Sequence, residues 1–596
     1  MAEIQNPNQG GGGGGGLGGD SKSLFGFMIV FVLMVVAFQV FGPKKTQQPQ
    51  PSQQKAQTTQ SAPALAAAAG EGSAAAPATP AGNVSTAATN AVQAASESET
   101  VVENEVYRIT FTNRGGAVKS WLLNNKQYKD DSQKNQLDLV NHDAAAKYGL
   151  PLSLFAYDAA LKDRLNSALY VPSATGTIDA TTPATLSFEY SYGGLTVHKS
   201  FHFDNTYVIG ADVSVTQGGA PVTALLAWPS GLGDQANLQG YAAATIDTSE
   251  SGKTDQIAAK KVVGSDTLRG AFDYVGVSDL YFSAVFMPES PADTSVVTLH
   301  ETVGVPRNRE HPDQNVDQAP LLGAAVGSIG DGVHTRLFAG PKVLGLLQTI
   351  HSANGENLEH VVSFGWWSWI AKPMLLVLRF FVNHGIPNWG WAILVLTLIL
   401  NLAMLPTRVM MMKSSLKMQR IQPQIEAIKA KYAKYKTTDP RRQDMNKEMF
   451  DVQREHGVNM FGGCLPMLLQ YPLLIGFYSM LRYAIELRQA HWLWLPDLSA
   501  PDALHVLPIF VIVSMFLSQF FTPSPGMDQS QQRMMAFMMP VIFGYMMWNI
   551  GSGVALYWAG SNLLGVATQL VMNRTSMGQE MHAIAARRAA RRGPKR

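Results

Sequence analysis

The sequence predicts a membrane protein with six transmembrane α-helices, a large all-β domain outside the membrane and a helical hairpin in the cytoplasm. Three observations predict this fold class: a series of apolar stretches, a basic segment that interrupts them, and an upstream region of alternating apolar residues. The apolar stretches cover residues 24–41, 389–405, 464–485, 504–521, 534–550 and 554–572. Each approaches the roughly 20 apolar residues that a spanning helix needs. A soluble enzyme with buried core helices is the alternative, but six such stretches would be exceptional in one.

The N-terminal region precedes the first folded domain. Residues 1–23 are Gly-rich and expected in the cytoplasm, and residues 24–42 are expected to form a transmembrane anchor. A cleaved signal peptide is the alternative, but Lys22 is the one cation before the apolar stretch and no A-x-A cleavage site follows promptly. Residues 43–100 lack the large apolar side chains that offset ordering entropy, which predicts a disordered linker, and the family resemblance described below implies that it is periplasmic.

Residues 101–360 are predicted to form a β-sandwich domain. Apolar and polar residues alternate at residues 107–111, 186–192 and 207–215, and Gly-Gly and Asp-Asn pairs break such runs. A period of two is typical of antiparallel strands with one face in a core, and several such strands favour a sandwich.

Residues 361–385 are predicted to form an amphipathic helix in the membrane interface. Lys372 and Arg379 are seven residues apart, so both cations share one face of a helix. Neighbouring tryptophans and cations with long apolar stems favour the boundary between lipid and water. A seventh span is the alternative.

The distribution of positive charge sets the predicted orientation. The segment at residues 407–456 carries twelve Lys and Arg against six acids, and the tail at residues 576–596 is also basic. The positive-inside rule places both in the cytoplasm, which six spans satisfy with the β domain outside. Lys44 and Lys45 oppose this orientation, but the later loops outweigh them.

The predicted five-helix core at residues 386–575 includes a cytoplasmic hairpin at residues 407–458. Apolar residues recur there every three or four positions on both sides of a Thr-Thr-Asp-Pro turn, which predicts two helices with an apolar seam. The exposed cations would suit an anionic partner, such as ribosomal RNA or lipid headgroups. The candidate contact residues are Lys429, Lys431, Lys434, Lys436, Arg441 and Arg442 in the hairpin, and Arg587, Arg588, Arg591 and Arg592 in the tail. A solvated hairpin with no partner is the alternative.

No residue pattern indicates catalysis. The chain of 596 residues contains no evident H-E-x-x-H, CxxC or G-x-S-x-G motif, and its one cysteine, Cys464, cannot form an intrachain disulfide. His198 and His202 lie on one predicted strand about 13 Å apart, too far to share a metal easily. We therefore expect no catalytic residue, metal or cofactor, and the net charge of +2 gives no reason to expect DNA as a partner.

The apolar stretches carry polar residues mainly in their cytoplasmic halves. These are Thr397, Asn401, Gln470, Gln519 and Gln569. A pore would need polar residues along its whole length, so this distribution predicts a hydrated cavity that is open to the cytoplasm and closed outside. Hydrogen bonding between helices without a cavity is the alternative.

Several runs resemble the YidC/Oxa1/Alb3 family of membrane protein insertases, in the Gram-negative form with a large periplasmic domain. They are NMFGGCLPMLLQYP at residues 459–472, ELRQA at 486–490, LYWAGSN at 556–562, MPVIF at 539–543 and TFTNRGG at 110–116. The resemblance implies insertion of nascent membrane proteins into the inner membrane, alone or beside the Sec translocon, from a hydrophilic groove. It also implies a β-supersandwich domain in the periplasm, and a hairpin and tail near the ribosome.

The resemblance assigns groove residues by position. Thr397, Gln470 and Tyr557 match groove residues of the family, whereas Asn401 stands where an arginine is usual and Trp558 where a tyrosine is common. Arg408 lies seven residues after Asn401, so a continuous helix would place it on the same face roughly 10 Å nearer the cytoplasm. Arg408 is therefore a candidate substitute for the missing arginine, and the alternative is a topology anchor.

The sequence thus predicts a client-binding groove formed by Thr397, Asn401, Arg408, Gln470, Gln519, Tyr557, Trp558 and Gln569. The expected partners are nascent membrane proteins, the Sec translocon, the ribosome and membrane lipids. A secondary transporter with a solute-capturing β domain is the alternative function. It would be favoured by inverted repeats or by broken helices with charged midplane groups, and neither is evident in the sequence. A sugar-active enzyme would need convergent carboxylates or histidines in the β domain, which are not evident either.

Overall fold

The computed structural model describes residues 91–591, apart from gaps at 126, 131–132, 236–237, 265, 307–315, 329–331, 436–438, 459–464 and 522–528. The predicted N-terminal segment and anchor at residues 1–42, most of the predicted linker, and Cys464 lie outside the described residues. The described chain divides into two compact units, one of which is Ala427–Glu448 while the other holds the remainder.

The larger unit begins with a β domain of three sheets. Its strands, numbered β1 to β19, are Glu99–Glu103, Tyr107–Thr112, Ala117–Leu123, Ser153–Phe155, Val171–Pro172, Gly176–Asp179, Ala184–Tyr192, Leu195–Phe203, Val208–Gln217, Ala220–Pro221, Leu225–Trp228, Thr245–Glu250, Lys253–Ala258, Asp266–Arg269, Phe272–Ser278, Phe282–Pro288, Thr294–Pro306, Val316–Ser328 and Val333–Pro341. The sheets have the orders β3-β2-β1-β6, β13-β12-β15-β16-β19-β9-β8-β7-β5 and β14-β17-β18-β11-β4, and β10 pairs with β9. The mostly β architecture of this region is as predicted.

Burial alternates along the strands as the sequence predicts. In β7, Leu186, Phe188 and Tyr190 are buried, whereas His198 and His202 of β8 are exposed. These two histidines therefore lie on the surface of the β domain. The described residues contain no group of three or more His, Cys, Asp or Glu side chains that could hold a metal ion.

The predicted linker ends earlier than residue 100. The backbone of Val92 exchanges two hydrogen bonds of 2.8 Å with Ser191, and the side chain of Asn113 binds the backbone of Ser96 and Ser98 at 3.0 and 2.8 Å. Residues 92–98 therefore pack on the β domain. Composition did not reveal this, because backbone hydrogen bonds can hold a segment that has no large apolar side chains.

The helices are numbered α1 to α13. They are His142–Tyr148, Ala159–Ser167, Leu238–Ala242, Leu344–Leu347, Ser368–Asn383, Trp389–Ala403, Leu405–Tyr432, Arg441–Glu455, Leu465–Tyr483, Val506–Phe521, Gln529–Met547, Ser552–Asn573 and Ser576–Arg591. The predicted interfacial helix is α5, the two arms of the predicted hairpin are α7 and α8, and the predicted core spans after residue 386 correspond to α6 and α9 to α12. The last helix, α13, occupies the segment that the sequence suggested was a basic tail.

Within the described residues, α12 is the one helix long and apolar enough to cross a membrane by itself. The helices α6 and α7 pass the same test together, but they are bent by 46° at their junction. The apolar segments Val506–Gln519 and Ala536–Met547 are shorter than a full span. Six spans therefore remain a prediction.

The junction of α6 and α7 corrects the prediction of one continuous helix through residue 405. Pro406 lacks a backbone N–H, and its ring would clash with the preceding turn of a continuing helix. The carbonyl of Met404 instead accepts hydrogen bonds from the backbone N–H groups of Thr407 and Arg408, at 3.1 and 3.2 Å, and from the Thr407 hydroxyl at 2.7 Å. The chain therefore ends one helix and starts another at Met404.

Two ion pairs hold α5, the predicted interfacial helix. Lys372 lies 3.3 Å from Glu359, and Arg379 donates from Nε to Glu486 at 2.8 Å. The hydrogen bond from Gln348, helped by Lys372, lowers the pKa of Glu359 below its ordinary value. Both cations lie on one helix face as predicted, but they bind carboxylates rather than extending freely into water.

Residues 485–489, which we call the strap, connect α9 to the β domain. Ile485 packs within the core of the β domain. The side chain of Gln489 forms two hydrogen bonds with the backbone of Lys129, at 2.9 and 3.1 Å. Arg488 is buried with its Nε 3.9 Å from a carboxylate oxygen of Asp234. The strap thus fixes the β domain to the helical core.

Lys199 occupies an inward position of β8 and is fully buried. Its ammonium donates to the carbonyl oxygens of Gly115, Gly116 and Leu152 at 2.8, 3.0 and 2.7 Å. It therefore joins the turn after β2 to the chain before β4 inside the core. A buried cation is tolerated where all its donors find acceptors.

We predict that Lys199→Met destabilises the protein by about 3 kcal/mol or more, because three buried carbonyls lose their donor. The measurement is the thermal unfolding midpoint of the purified full-length chain. Lys162→Met, on the exposed side of α2, is the control and should change stability by less than about 0.5 kcal/mol. Similar midpoints for the two variants would contradict the bonding role of Lys199.

Candidate functional site

A polar cluster lies between α6 and α12, near the end of α6. Asn401 donates from Nδ2 to the carbonyl of Thr397 at 2.8 Å and to the Ser561 hydroxyl at 3.4 Å. Thr397 is fully buried, and its hydroxyl donates to the carbonyl of Ile393 at 2.7 Å. We call Thr397, Asn401, Ser561 and Arg408 the polar cluster.

Arg408 joins the cluster from beyond the helix break. Its Nη2 donates to Oδ1 of Asn401 at 2.8 Å, and the residue is half-buried. The prediction of a separation near 10 Å along the helix assumed a continuous axis and did not allow for the reach of the side chain. In the structure, the long side chain brings the guanidinium back to Asn401 across the bend.

Glycines on α12 allow this close approach. A Cβ atom on Gly560 would lie 3.0 Å from Leu394 and 3.7 Å from Thr397, and one on Gly565 would lie 3.4 Å from the Arg408 guanidinium. Small residues let helix backbones approach each other within a membrane. Gly560 therefore sets the spacing of α6 and α12, and Gly565 leaves room for the cation.

Two predicted aromatic groove residues face different neighbours. Tyr557 is buried and stacks on Phe477 of α9, with ring centroids 4.1 Å apart. Trp558 is half-buried against Phe543 of α11 at 5.3 Å. These residues pack α12 against α9 and α11.

The predicted amides do not all join the polar cluster. Gln569 lies two turns beyond Ser561 and donates to Asn573 at 2.8 Å. Gln519 is half-buried near the end of α10. Gln470 lies on α9, where the structure describes the backbone alone. Their role in the groove stays a prediction.

Two site residues were missed by sequence reasoning. Ser561 accepts from Asn401, and the neighbouring Asn562 donates to Ser514 of α10 at 3.2 Å. Ser514 is buried and donates in turn to the carbonyl of Val511 at 3.0 Å. The signal was available, because Ser561 and Asn562 are adjacent polar residues in an apolar stretch. They make α12 the central helix, with polar bonds to α6 on one side and α10 on the other.

Several predicted cations of the hairpin are already paired within Ala427–Glu448. Lys431 binds both carboxylate oxygens of Glu448 at 3.0 and 3.1 Å. Lys434 and Arg441 lie over the ring of Tyr435, at 5.3 and 4.5 Å. Lys429 is half-buried.

The remaining predicted cations are described less fully. Arg587 is exposed on α13, and Arg588 and Arg591 lie on the same helix, although nothing is described of their side chains. The same holds for Arg442 on α8. Lys436 and Arg592 lie outside the described residues.

Large apolar side chains are exposed on the outer faces of the helical core. On α11, Phe537, Val541 and Tyr545 are four residues apart and all are exposed, and Trp369 and Phe380 of α5 are exposed as well. Apolar surface of this extent is rare on soluble monomers and typical of contact with lipid.

Two family models match the chain. The model described as 60Kd inner membrane protein matches residues 381–580, and the model described as YidC periplasmic domain matches residues 99–377. The first contains the polar cluster, and the second covers the β domain.

Curated relatives match over most of their length. A membrane protein insertase YidC from Syntrophus aciditrophicus is 29% identical over 93% of this chain and 99% of its own length. One from Geobacter sulfurreducens is 32% identical over 79% of this chain and 86% of its own. A solved chain described as an active YidC insertase with the first transmembrane domain resolved covers 81% of this chain and 94% of its own, with 19% identity and a TM-score of 0.33. A TM-score this low adds no weight to the assignment, which rests on the sequence relatives.

We predict that Gly560→Leu destabilises the helical core by about 1–3 kcal/mol, because its side chain would push against Leu394 and Thr397. The measurement is the thermal unfolding midpoint of the full chain in detergent. Ala567→Leu places the same leucine side chain at an exposed position of α12 and serves as the control. An equal loss from both substitutions would show that Gly560 does not set the helix spacing.

Proposed function

The chain belongs to the YidC family of membrane protein insertases, and from this premise we propose that it inserts newly made proteins into the inner membrane. The family is not an enzyme class, and no bond is made or broken in the proposed activity. The relatives named above are insertases and give no support to a secondary transporter.

The observation that carries the proposal is the polar cluster on otherwise apolar helices. A polar client segment that crosses lipid unaided loses its hydrogen bonds to water, at a cost of several kcal/mol per group. Asn401, Ser561 and Arg408 offer hydrogen-bond donors and acceptors along that path. The apolar segment of the client, on leaving water for lipid, supplies the driving force.

In this proposal, Arg408 substitutes for the groove arginine that is usual in the family at the position of Asn401. Its hydrogen bond to Asn401 supports this role over that of a topology anchor, because an anchor would extend away from the apolar region. The amide oxygen accepts from the guanidinium, which lowers the cost of holding a charge there. Acidic client segments would then be attracted to the groove from the cytoplasmic side.

Six spans, both termini in the cytoplasm and the β domain in the periplasm form the proposed topology. The match of residues 99–377 to a periplasmic domain model supports the location of the β domain. The basic residues of the hairpin and tail support the cytoplasmic location of the segments that follow α6 and α12. Ribosomes, lipid headgroups and the Sec translocon are the proposed partners of these surfaces.

Asn401 and Arg408 test the proposed groove. Asn401→Leu should slow insertion about fivefold or more, because it removes the hub of the polar cluster. Arg408→Gln should slow a client with an acidic translocated segment about fivefold and leave a client with the matching Asn and Gln residues nearly unchanged.

Insertion is measured by protease protection of a short, newly synthesised client added to liposomes that contain the purified chain. Ile399→Leu, on the exposed face of α6, is the control for structural effects, and equal protein abundance is verified. Normal rates for Asn401→Leu would assign position 401 a structural role alone.

Single cysteines in a Cys464→Ser background test the topology. A membrane-impermeant thiol reagent added from the periplasmic side should label Lys162→Cys in the β domain and spare Arg587→Cys in α13, because both positions are exposed but lie on opposite sides. After permeabilisation both should react. Labelling of Arg587→Cys before permeabilisation would refute six spans.

A further inference from the structure

The C-terminal helix α13 folds back on the chain that precedes it. The Thr575 hydroxyl accepts from the backbone N–H of Gly578 at 3.4 Å, which caps the first turn. A Cβ on Gly578 would lie 2.4 Å from the carbonyl oxygen of Met572 and 2.5 Å from Asn573, so a larger residue cannot occupy this position. The close turn directs α13 back against the end of α12 and the start of α7.

One face of α13 packs against the start of α7. Met577, Met581 and Ile584 recur at intervals of four and three and so share one helix face. They pack with Val409, Met412 and Leu416 of α7 and with Met572 of α12, which together form what we call the methionine cluster. Met581 is only 3% exposed and Met412 6%. The packed residues of α7 begin directly after Arg408.

An ion pair fixes the position of α13 along α7. Arg420 donates from Nε and Nη2 to the two carboxylate oxygens of Glu580, at 2.9 and 2.8 Å. Glu580 is the only acidic residue of α13, whereas its other charged residues are basic. Two parallel hydrogen bonds between a guanidinium and a carboxylate form only in a narrow range of relative positions, so this pair restricts the position of α13 more than a single hydrogen bond would.

The break between α6 and α7 explains why the packing of α13 matters. Because Met404 ends α6 and starts α7, the helical hydrogen-bond ladder does not by itself fix the angle between them. The direction of α7 decides whether Arg408 reaches Asn401. We propose that α13 is a brace, in which Met581 and Glu580 position α7 so that the Arg408 guanidinium is held in the polar cluster.

This inference rests on the proposed role of Arg408 and adds a second role to the C-terminal segment. The face with Met577, Met581 and Ile584 braces α7, while Arg587 remains exposed for an anionic partner. The two roles can be separated, because a brace acts on insertion even where no ribosome is present.

The test uses the full chain in liposomes with purified clients and no ribosomes. Two clients are compared that differ only in Asp and Glu against Asn and Gln in the translocated segment. Glu580→Lys and Met581→Asp should each slow the acidic client about threefold to fivefold, the change that loss of one such contact produces, with the neutral client within about twofold of wild type. Both variants should approach the selectivity of Arg408→Gln.

Matched variants separate positioning from folding and from net charge. Met581→Leu preserves the packing and should retain the wild-type preference. The charge exchange of Arg420→Glu with Glu580→Arg should restore it. Glu455→Lys changes the net charge equally on the exposed surface of α8 and should have no effect.

The outcomes distinguish the brace from the groove. If Arg408→Gln loses selectivity while Glu580→Lys and Met581→Asp keep it, α13 is not a brace and the proposed groove stands. If Arg408→Gln itself keeps the wild-type selectivity, the proposed cation role is wrong and the brace is wrong with it. Equal slowing of both clients by Glu580→Lys and Met581→Asp would also overturn positioning, since that result reports general damage.

Discussion

The break between α6 and α7 is the constraint on which the site depends. Pro406 cannot donate a backbone hydrogen bond to the preceding turn, so the ladder ends at Met404 and the chain turns by 46°. In a continuous helix the backbone of Arg408 would lie roughly 10 Å along the axis from Asn401, on the same face. With the turn, the guanidinium forms a 2.8 Å hydrogen bond to the amide. The helix break at Pro406 therefore influences how the guanidinium of Arg408 reaches Asn401 between the apolar helices α6 and α12.

The strap is a second constraint, because it links the helical core to the β domain. Within five residues, Glu486 binds α5 through Arg379, and Gln489 binds the β domain through the backbone of Lys129. Arg488 lies buried near Asp234 and over the ring of Phe282 at 5.4 Å. Buried charges are costly to desolvate, and removal of one partner leaves the other uncompensated. Such contacts restrict the position of the β domain, because any displacement of it would separate charges that have left water.

Regular patterns were predictable from the sequence, and features that depend on tertiary contact were not. Alternation located the strands around Leu186 and Phe188, and the steps of three and four residues located α7 and α8, because burial on one face imposes the period. The same logic would have found α13 from Met577, Met581 and Ile584, but the surrounding arginines concealed the spacing. Two features left no local signal: the docking of residues 92–98, which uses backbone bonds, and the inward position of Lys199, whose three acceptors come from distant turns.

The hydrogen bonds of the polar cluster explain how polar side chains are held between apolar helices without a large cost in stability. Thr397 donates to its own helix, Asn401 bridges α6 and α12, and Arg408 is held by Asn401, so each of these groups has a partner within the protein. A neutral amide beside the guanidinium is a weaker partner than a carboxylate would be. An acidic client segment could therefore compete for the arginine, whereas a carboxylate at position 401 would neutralise it permanently. Under the proposed function, asparagine at this position would keep the cation in place and leave its charge available to a client.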